Sequence, residues 1–137
     1  MKKFVLFLVA VFFLNACSVE DNNPNYRLEV LPVESFTVPR SFKLGETYPI
    51  KVRYRNPSNC YFFQTFYYEK QLNTRIVGVV SRVVEDKDCS PPVSAQAITE
   101  VSFNFLVNNN GSYIFKFYKG EDADGKDIFE EVEIPVN

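Results

Sequence analysis

Three cysteines and one knot of carboxylates are the groups in this chain with the most chemistry to offer. The thiols are Cys17, Cys60 and Cys89, and the carboxylates are Glu121, Asp122, Asp124 and Asp127. The chain has no histidine. That removes the commonest general base, the commonest metal ligand and every Ser-His or Cys-His nucleophile pair. Oxygen ligands at alternating positions suit calcium, which makes the four carboxylates a weak calcium candidate. The calcium-loop pattern with its terminal bidentate glutamate is missing, however, and a solvated hairpin loop is the simpler role. A glycosidase pair would need two carboxylates about 5–10 Å apart in a cleft, one of them with a raised pKa. Nothing in the sequence builds that cleft. No phosphate loop or metal-ligand spacing appears either, so neither an enzyme nor a cofactor is expected.

The elements that must position these groups are strands. The chain holds 14 phenylalanines and 8 tyrosines and no tryptophan. Aromatic and β-branched residues favour strands over helices. Thr47 to Arg55 alternates cleanly: Tyr48, Ile50, Val52 and Tyr54 point one way, and Lys51, Arg53 and Arg55 the other. Cys60 to Glu69 is aromatic on both faces. Strict alternation puts Tyr61, Phe63 and Tyr67 on one face and Phe62, Phe66 and Tyr68 on the other. Arg75 to Glu85 is aliphatic on both faces, and a turn near Asn73-Thr74 would fold the two runs into a hairpin. That hairpin brings Cys60 and Cys89 to the same open end.

The remainder follows the same period. Tyr26 to Leu31 is a first strand, and Val33 to Val38, bracketed by Pro32 and Pro39, is an edge strand. Ala97 to Val107 has Val101, Phe103, Phe105 and Val107 inward. Asn108-Asn109-Asn110-Gly111 is a turn, and Tyr113, Phe115 and Phe117 alternate after it. Ile128 to Val136 closes the chain. Seven or eight short antiparallel strands without a helical period make residues 26–137 one all-β domain, a two-sheet sandwich or, as an alternative, a small β-barrel. Asn109-x-Gly111-x-Tyr113-x-Phe115 resembles the tyrosine corner of immunoglobulin-like domains. The resemblance implies an immunoglobulin-like sandwich in which the Tyr113 hydroxyl bonds back to the backbone across the turn. The core cysteines of antibody domains are replaced by Phe115 and Val52, so a Cys60–Cys89 bridge would be peripheral.

Residues 1–16 have the form of a leader. Lys2 and Lys3 precede an apolar run from Phe4 to Leu14, long enough for a signal h-region and too short to span a bilayer. Leu14-Asn15-Ala16-Cys17 resembles the bacterial lipobox, with Asn15 where that family prefers a small apolar residue. The resemblance implies cleavage before Cys17 and a thioether-linked diacylglycerol on its sulfur, with two or three acyl chains in all, palmitate among them. Two or more chains anchor a protein stably where one does not. An ordinary secretory leader is the alternative. Residues 17–25 are polar and acidic and read as a tether. Glu20-Asp21 resembles the export signal of surface lipoproteins in Bacteroidota, and Ser18 resembles lipoproteins sorted to the outer membrane. With Cys17 lipidated, Cys60 and Cys89 remain, and in an exported protein they are expected to pair. A metal site or a catalytic thiol is the alternative, without supporting spacing.

Fifteen basic side chains face 17 acidic ones, a formal net charge of −2 with no basic run. That balance excludes nucleic acid as the expected partner. A two-layer sandwich cannot bury aromatics on both faces of one strand. Phe62, Phe66 and Tyr68 are therefore candidate partner-binding residues, because exposed aromatic surface marks binding. The expectation is a lipid-anchored outer-membrane module, surface-exposed or facing the periplasm, that binds an envelope protein. The alternative is a glycan- or small-ligand-binding lipoprotein, with Gln64, Arg75 and Arg82 beside the rings.

Overall fold

A computed structural model describes residues 25–85, 88–93 and 97–137. The described residues form eight strands and no helix: β1 Tyr26–Leu31, β2 Val33–Thr37, β3 Thr47–Arg55, β4 Tyr61–Gln71, β5 Thr74–Val84, β6 Ile98–Leu106, β7 Tyr113–Glu121 and β8 Asp127–Ile134. They make two sheets, one of five strands and one of three (β2-β3-β6), and neither closes into a barrel. The two-sheet sandwich read from the sequence is the fold.

Strand β5 is the spine of the larger sheet. One of its edges pairs with β4 along nearly its whole length, from Tyr61↔Val83 to Gln71↔Thr74. Its other edge is divided. β1 runs antiparallel along the second half, from Tyr26↔Val84 to Leu31↔Val79. β7 takes the first half, from Thr74↔Ile114 to Val77↔Phe117, and runs parallel. This parallel pair departs from the expected all-antiparallel order. Its cause is local: β1 leaves the sheet at Pro32 and frees the rest of the edge. A proline, lacking an N–H, suits a place where a ladder ends. The chain then re-enters the other layer as β2, paired with β3.

The core lies between the layers. Ile50, Val52 and Tyr54 of β3, Val77 and Val79 of β5, and Phe115 and Phe117 of β7 are all essentially inaccessible. The β3 alternation appears as anticipated, with buried residues at every second position. One side of the sandwich is sealed where Phe36 stacks on Phe117 at 3.9 Å and Lys119 Nζ donates to the Glu34 carbonyl at 3.0 Å. The opposite side lies between β4 and β6, each paired on only one edge.

Cys60 and Cys89 form a disulfide across a sequence separation of 29, joining the start of β4 to the segment after β5. Cys60 is completely buried. Closing a loop of that length removes denatured-state freedom worth roughly 3–4 kcal/mol on the chain-entropy model. The double variant Cys60→Ala, Cys89→Ala should lose about 2–4 kcal/mol of unfolding free energy in urea, followed by far-ultraviolet circular dichroism. An unchanged midpoint would mean that the bridge does not constrain the denatured chain.

Candidate functional site

The aromatic strand β4 is bulged, and the bulge decides where its rings go. Phe63 pairs with Ser81 and Thr65 with Val80, so Gln64 is an extra residue. Side-chain alternation reverses across such an insertion. Phe62 opposes Arg82, whose side chain leaves the core, whereas Phe66 and Tyr68 oppose the core residues Val79 and Val77. The shared face expected for Phe62, Phe66 and Tyr68 is therefore corrected: Phe62 lies outside, and Phe66 and Tyr68 line the gap between the sheets. There they cover one another. The Phe66 and Phe103 ring centroids are 5.0 Å apart, those of Phe63 and Phe66 5.2 Å, and those of Tyr68 and Phe103 5.7 Å. This edge-on aromatic stack lines the open side of the sandwich, where Phe63 and Tyr68 remain exposed.

Arg75, offered above as a sugar contact, is also in the interior and only 3% exposed. Its Nη1 donates to the carbonyls of Leu72 at 2.9 Å and Thr74 at 2.8 Å. Its guanidinium lies 5.0 Å from the Tyr113 ring centroid and 5.7 Å from that of Phe105. Among the described residues no carboxylate forms an ion pair with it. Carbonyl dipoles and ring faces take the carboxylate's place. The β4–β5 turn that it clamps contains Leu72 at a φ of 52°, uncommon for a residue with a side chain. Asn73 next to it donates Nδ2 to the Ser112 carbonyl at 3.0 Å, which docks the hairpin tip on the turn before β7. At that turn Tyr113 donates its hydroxyl to Asn108 Oδ1 at 3.2 Å. The tyrosine corner thus closes on a side-chain oxygen instead of the expected backbone.

The outer face of the larger sheet is different. Tyr26, Leu28 and Val30 of β1 and Phe62 and Tyr67 of β4 are between 39% and 58% exposed there. Arg82 reaches over this strip, 5.8 Å from the Tyr26 ring and 6.0 Å from that of Phe62. At one end of the strip, opposite Tyr67, is Gly78. A Cβ at that position would stand 3.1 Å from Val30 Cγ1, 3.5 Å from Tyr67 Cβ and 3.6 Å from Tyr118 Cβ. Next to these side chains is a depression of about 530 Å³ walled by Tyr67, Tyr118 and Phe129, with Val30 and Ile76 completing its apolar lining. Glu69, Glu121 and Asp127 line it as well.

The acidic loop is split between two roles. Asp122 Oδ1 accepts from the backbone N–H groups of Asp124 and Lys126, both at 2.9 Å, and so holds the β7–β8 turn. Glu121 and Asp127 face the depression. The four carboxylates do not converge, and among the described residues no group of three or more such side chains is placed to hold a metal ion. The carboxylates act on the tyrosines instead. Tyr67 donates to Glu69 Oε2 at 2.6 Å, and this bond, with Asp127 nearby, holds its hydroxyl above the ordinary tyrosine range. Burial raises Tyr118, and Glu121 and Asp127 add to the effect. Cys17 lies outside the described residues, and its lipidation is taken up below.

Comparisons with protein-family models, curated proteins and solved structures found no match. The face over Gly78 was missed in the sequence because it needs three strands at once. A glycine within an aliphatic strand was the available signal.

Two outcomes follow. Arg75→Ala should destabilise the domain by about 2–4 kcal/mol in urea, because it orphans two carbonyls and empties a space between two rings. Arg75→Lys should recover only part, since an ammonium lacks the planar fork. In alkali, the folded state holds the Tyr54, Tyr67, Tyr68 and Tyr118 protons more tightly than the unfolded chain does. Stability from this source is complete below the ordinary tyrosine pKa of about 10 and falls as pH rises past it. Chemical denaturation across that range should show the decline, and Tyr67→Phe should make it shallower.

Proposed function

We propose that this protein is a lipid-anchored, non-enzymatic module of the bacterial envelope. It is held in the outer membrane through Cys17 and binds a protein partner with the outer face of its five-stranded sheet. The observation that carries this reading is the exposed apolar strip of Tyr26, Leu28, Val30, Phe62 and Tyr67, contiguous across β1, β5 and β4. Contiguous apolar surface of this kind marks interaction sites. Of the residues proposed from sequence beside Phe62, Phe66 is half-buried against Phe103, and Tyr68 is 44% exposed at the gap between the sheets, on the other face of β4 from this strip. The anchor rests on the lipobox resemblance of residues 14–17. The tether supports the same reading, since a polar segment free of strand pattern lets a folded domain stand off a membrane.

Glycan binding is the weaker reading. Its proposed cationic helpers have other duties: Arg75 is buried in the core, and Arg82 lies over Tyr26 and Phe62.

Both parts are testable in cells that express the full chain. Labelled palmitate should be incorporated into the wild type and lost with Cys17→Ala; label retained in that variant would remove the anchor. A photo-crosslinking amino acid placed at Phe62 should capture a discrete protein that the same probe at Lys51, on the other sheet, does not capture. Equal capture from both positions, or none from Phe62, would overturn the assignment of this face.

A further inference from the structure

We infer that the depression walled by Tyr67, Tyr118 and Phe129 is a receptor for a guanidinium group, the side chain of an arginine presented by the protein partner. The inference rests on the outer face being a protein-binding surface and specifies what the partner brings to it. Three ring systems, Tyr67, Tyr118 and Phe129, wall the depression, and the faces of such rings attract cations. The remaining polar lining is acidic: Glu69, Glu121 and Asp127, with no lysine, arginine or side-chain amide among the lining residues.

These three carboxylates are not engaged by a cation of the chain, a state they share with Glu46, Asp122, Asp124 and Glu133 among the described residues. Glu29, Glu34, Glu85, Glu100, Glu130 and Glu131 are each paired with a lysine or arginine. None of the ion pairs among the described residues uses Glu69, Glu121 or Asp127. Glu69 accepts from Tyr67 and from Gln71 Nε2 at 2.6 Å, bonds that leave its charge in place. The site therefore offers negative charge and acceptors over an aromatic floor, and it lacks cationic donors of its own.

That combination selects among ligands. A sugar needs donors as well as acceptors from its site. A quaternary ammonium satisfies the rings but brings no N–H to the carboxylates. A guanidinium does both: its flat face stacks on a ring while its edge donates to carboxylates. The chain already shows the stacking half of this contact twice, with Arg75 over Tyr113 and Arg82 over Phe62. Val30 and Ile76 complete the apolar part of the lining.

The test is a titration of the purified full chain, in a non-ionic detergent, with argininamide and with its uncharged isostere citrullinamide, read by amide resonances. Argininamide should shift Ile76, Tyr118 and Phe129 saturably, and citrullinamide should bind at least about tenfold more weakly, the scale of one charge-assisted hydrogen bond. Glu121→Gln with Asp127→Asn should weaken argininamide by a similar factor while the urea midpoint stays put, since both side chains are exposed. Equal affinity for the two amides, no saturable shift, or full affinity in the double variant would overturn the inference. So would choline binding as tightly as argininamide, which would make the rings alone the recognition element. Specific capture from Phe62 without an argininamide response would leave the protein-binding face standing and remove the arginine receptor.

Discussion

Arg75 carries a full charge into the interior, and the end of the sandwich that it occupies is arranged around that charge. A buried guanidinium is costly unless its donors and its charge are both met. Here the donors reach the carbonyls of Leu72 and Thr74, and the charge rests between the rings of Tyr113 and Phe105. These contacts tie the β4–β5 turn to β7 and β6. The neighbouring Asn73 lies against the turn before β7, where Ile114 donates its backbone N–H to the Asn73 carbonyl at 3.1 Å. The parallel β5–β7 ladder starts from that point. The clamp thus works with the β5–β7 ladder itself to hold β7 on the half-edge of β5 that β1 leaves free.

Aromatic residues do two kinds of work in β4, and one inserted residue separates them. Before Gln64, Phe62 is on the outside; after it, Phe66 and Tyr68 are on the inside. The inner rings pack across the gap between two edge strands, Phe66 and Tyr68 against Phe103. The outer rings, with Gly78 opposite Tyr67, shape a surface. One short segment therefore serves both the stability of the fold and its proposed contact.

The sequence carried the strands well. Tyr26 to Leu31 coincides with β1, Thr47 to Arg55 with β3, and the Cys60–Cys89 pairing follows from the hairpin that the two-faced runs imply. These features rest on period-two patterning and cysteine number, which are local. The bulge at Gln64 was not legible, because a polar residue in an aromatic run looks like an ordinary outward position. Arg75 looked like a surface charge, since its compensation comes from Tyr113 and Phe105, about 30–40 positions later in the chain and adjacent only after folding. The divided edge of β5 was hidden for the same reason: alternation defines faces and says nothing of neighbours or direction.

That divided edge has a mechanical consequence. β1 lies antiparallel to β5, with Tyr26 beside Val84 and Leu31 beside Val79. The β4–β5 turn is at the far end of β5, beyond Thr74. A pull entering at Tyr26 and resisted at that turn draws the two strands past each other lengthwise, so all six residue pairs of the ladder bear the load together. A pull at Tyr26 resisted at the Val84 end of β5 would instead open the same ladder one pair at a time. A grip near the hairpin tip thus meets a clamp, and a grip near the disulfide-linked end meets a zipper.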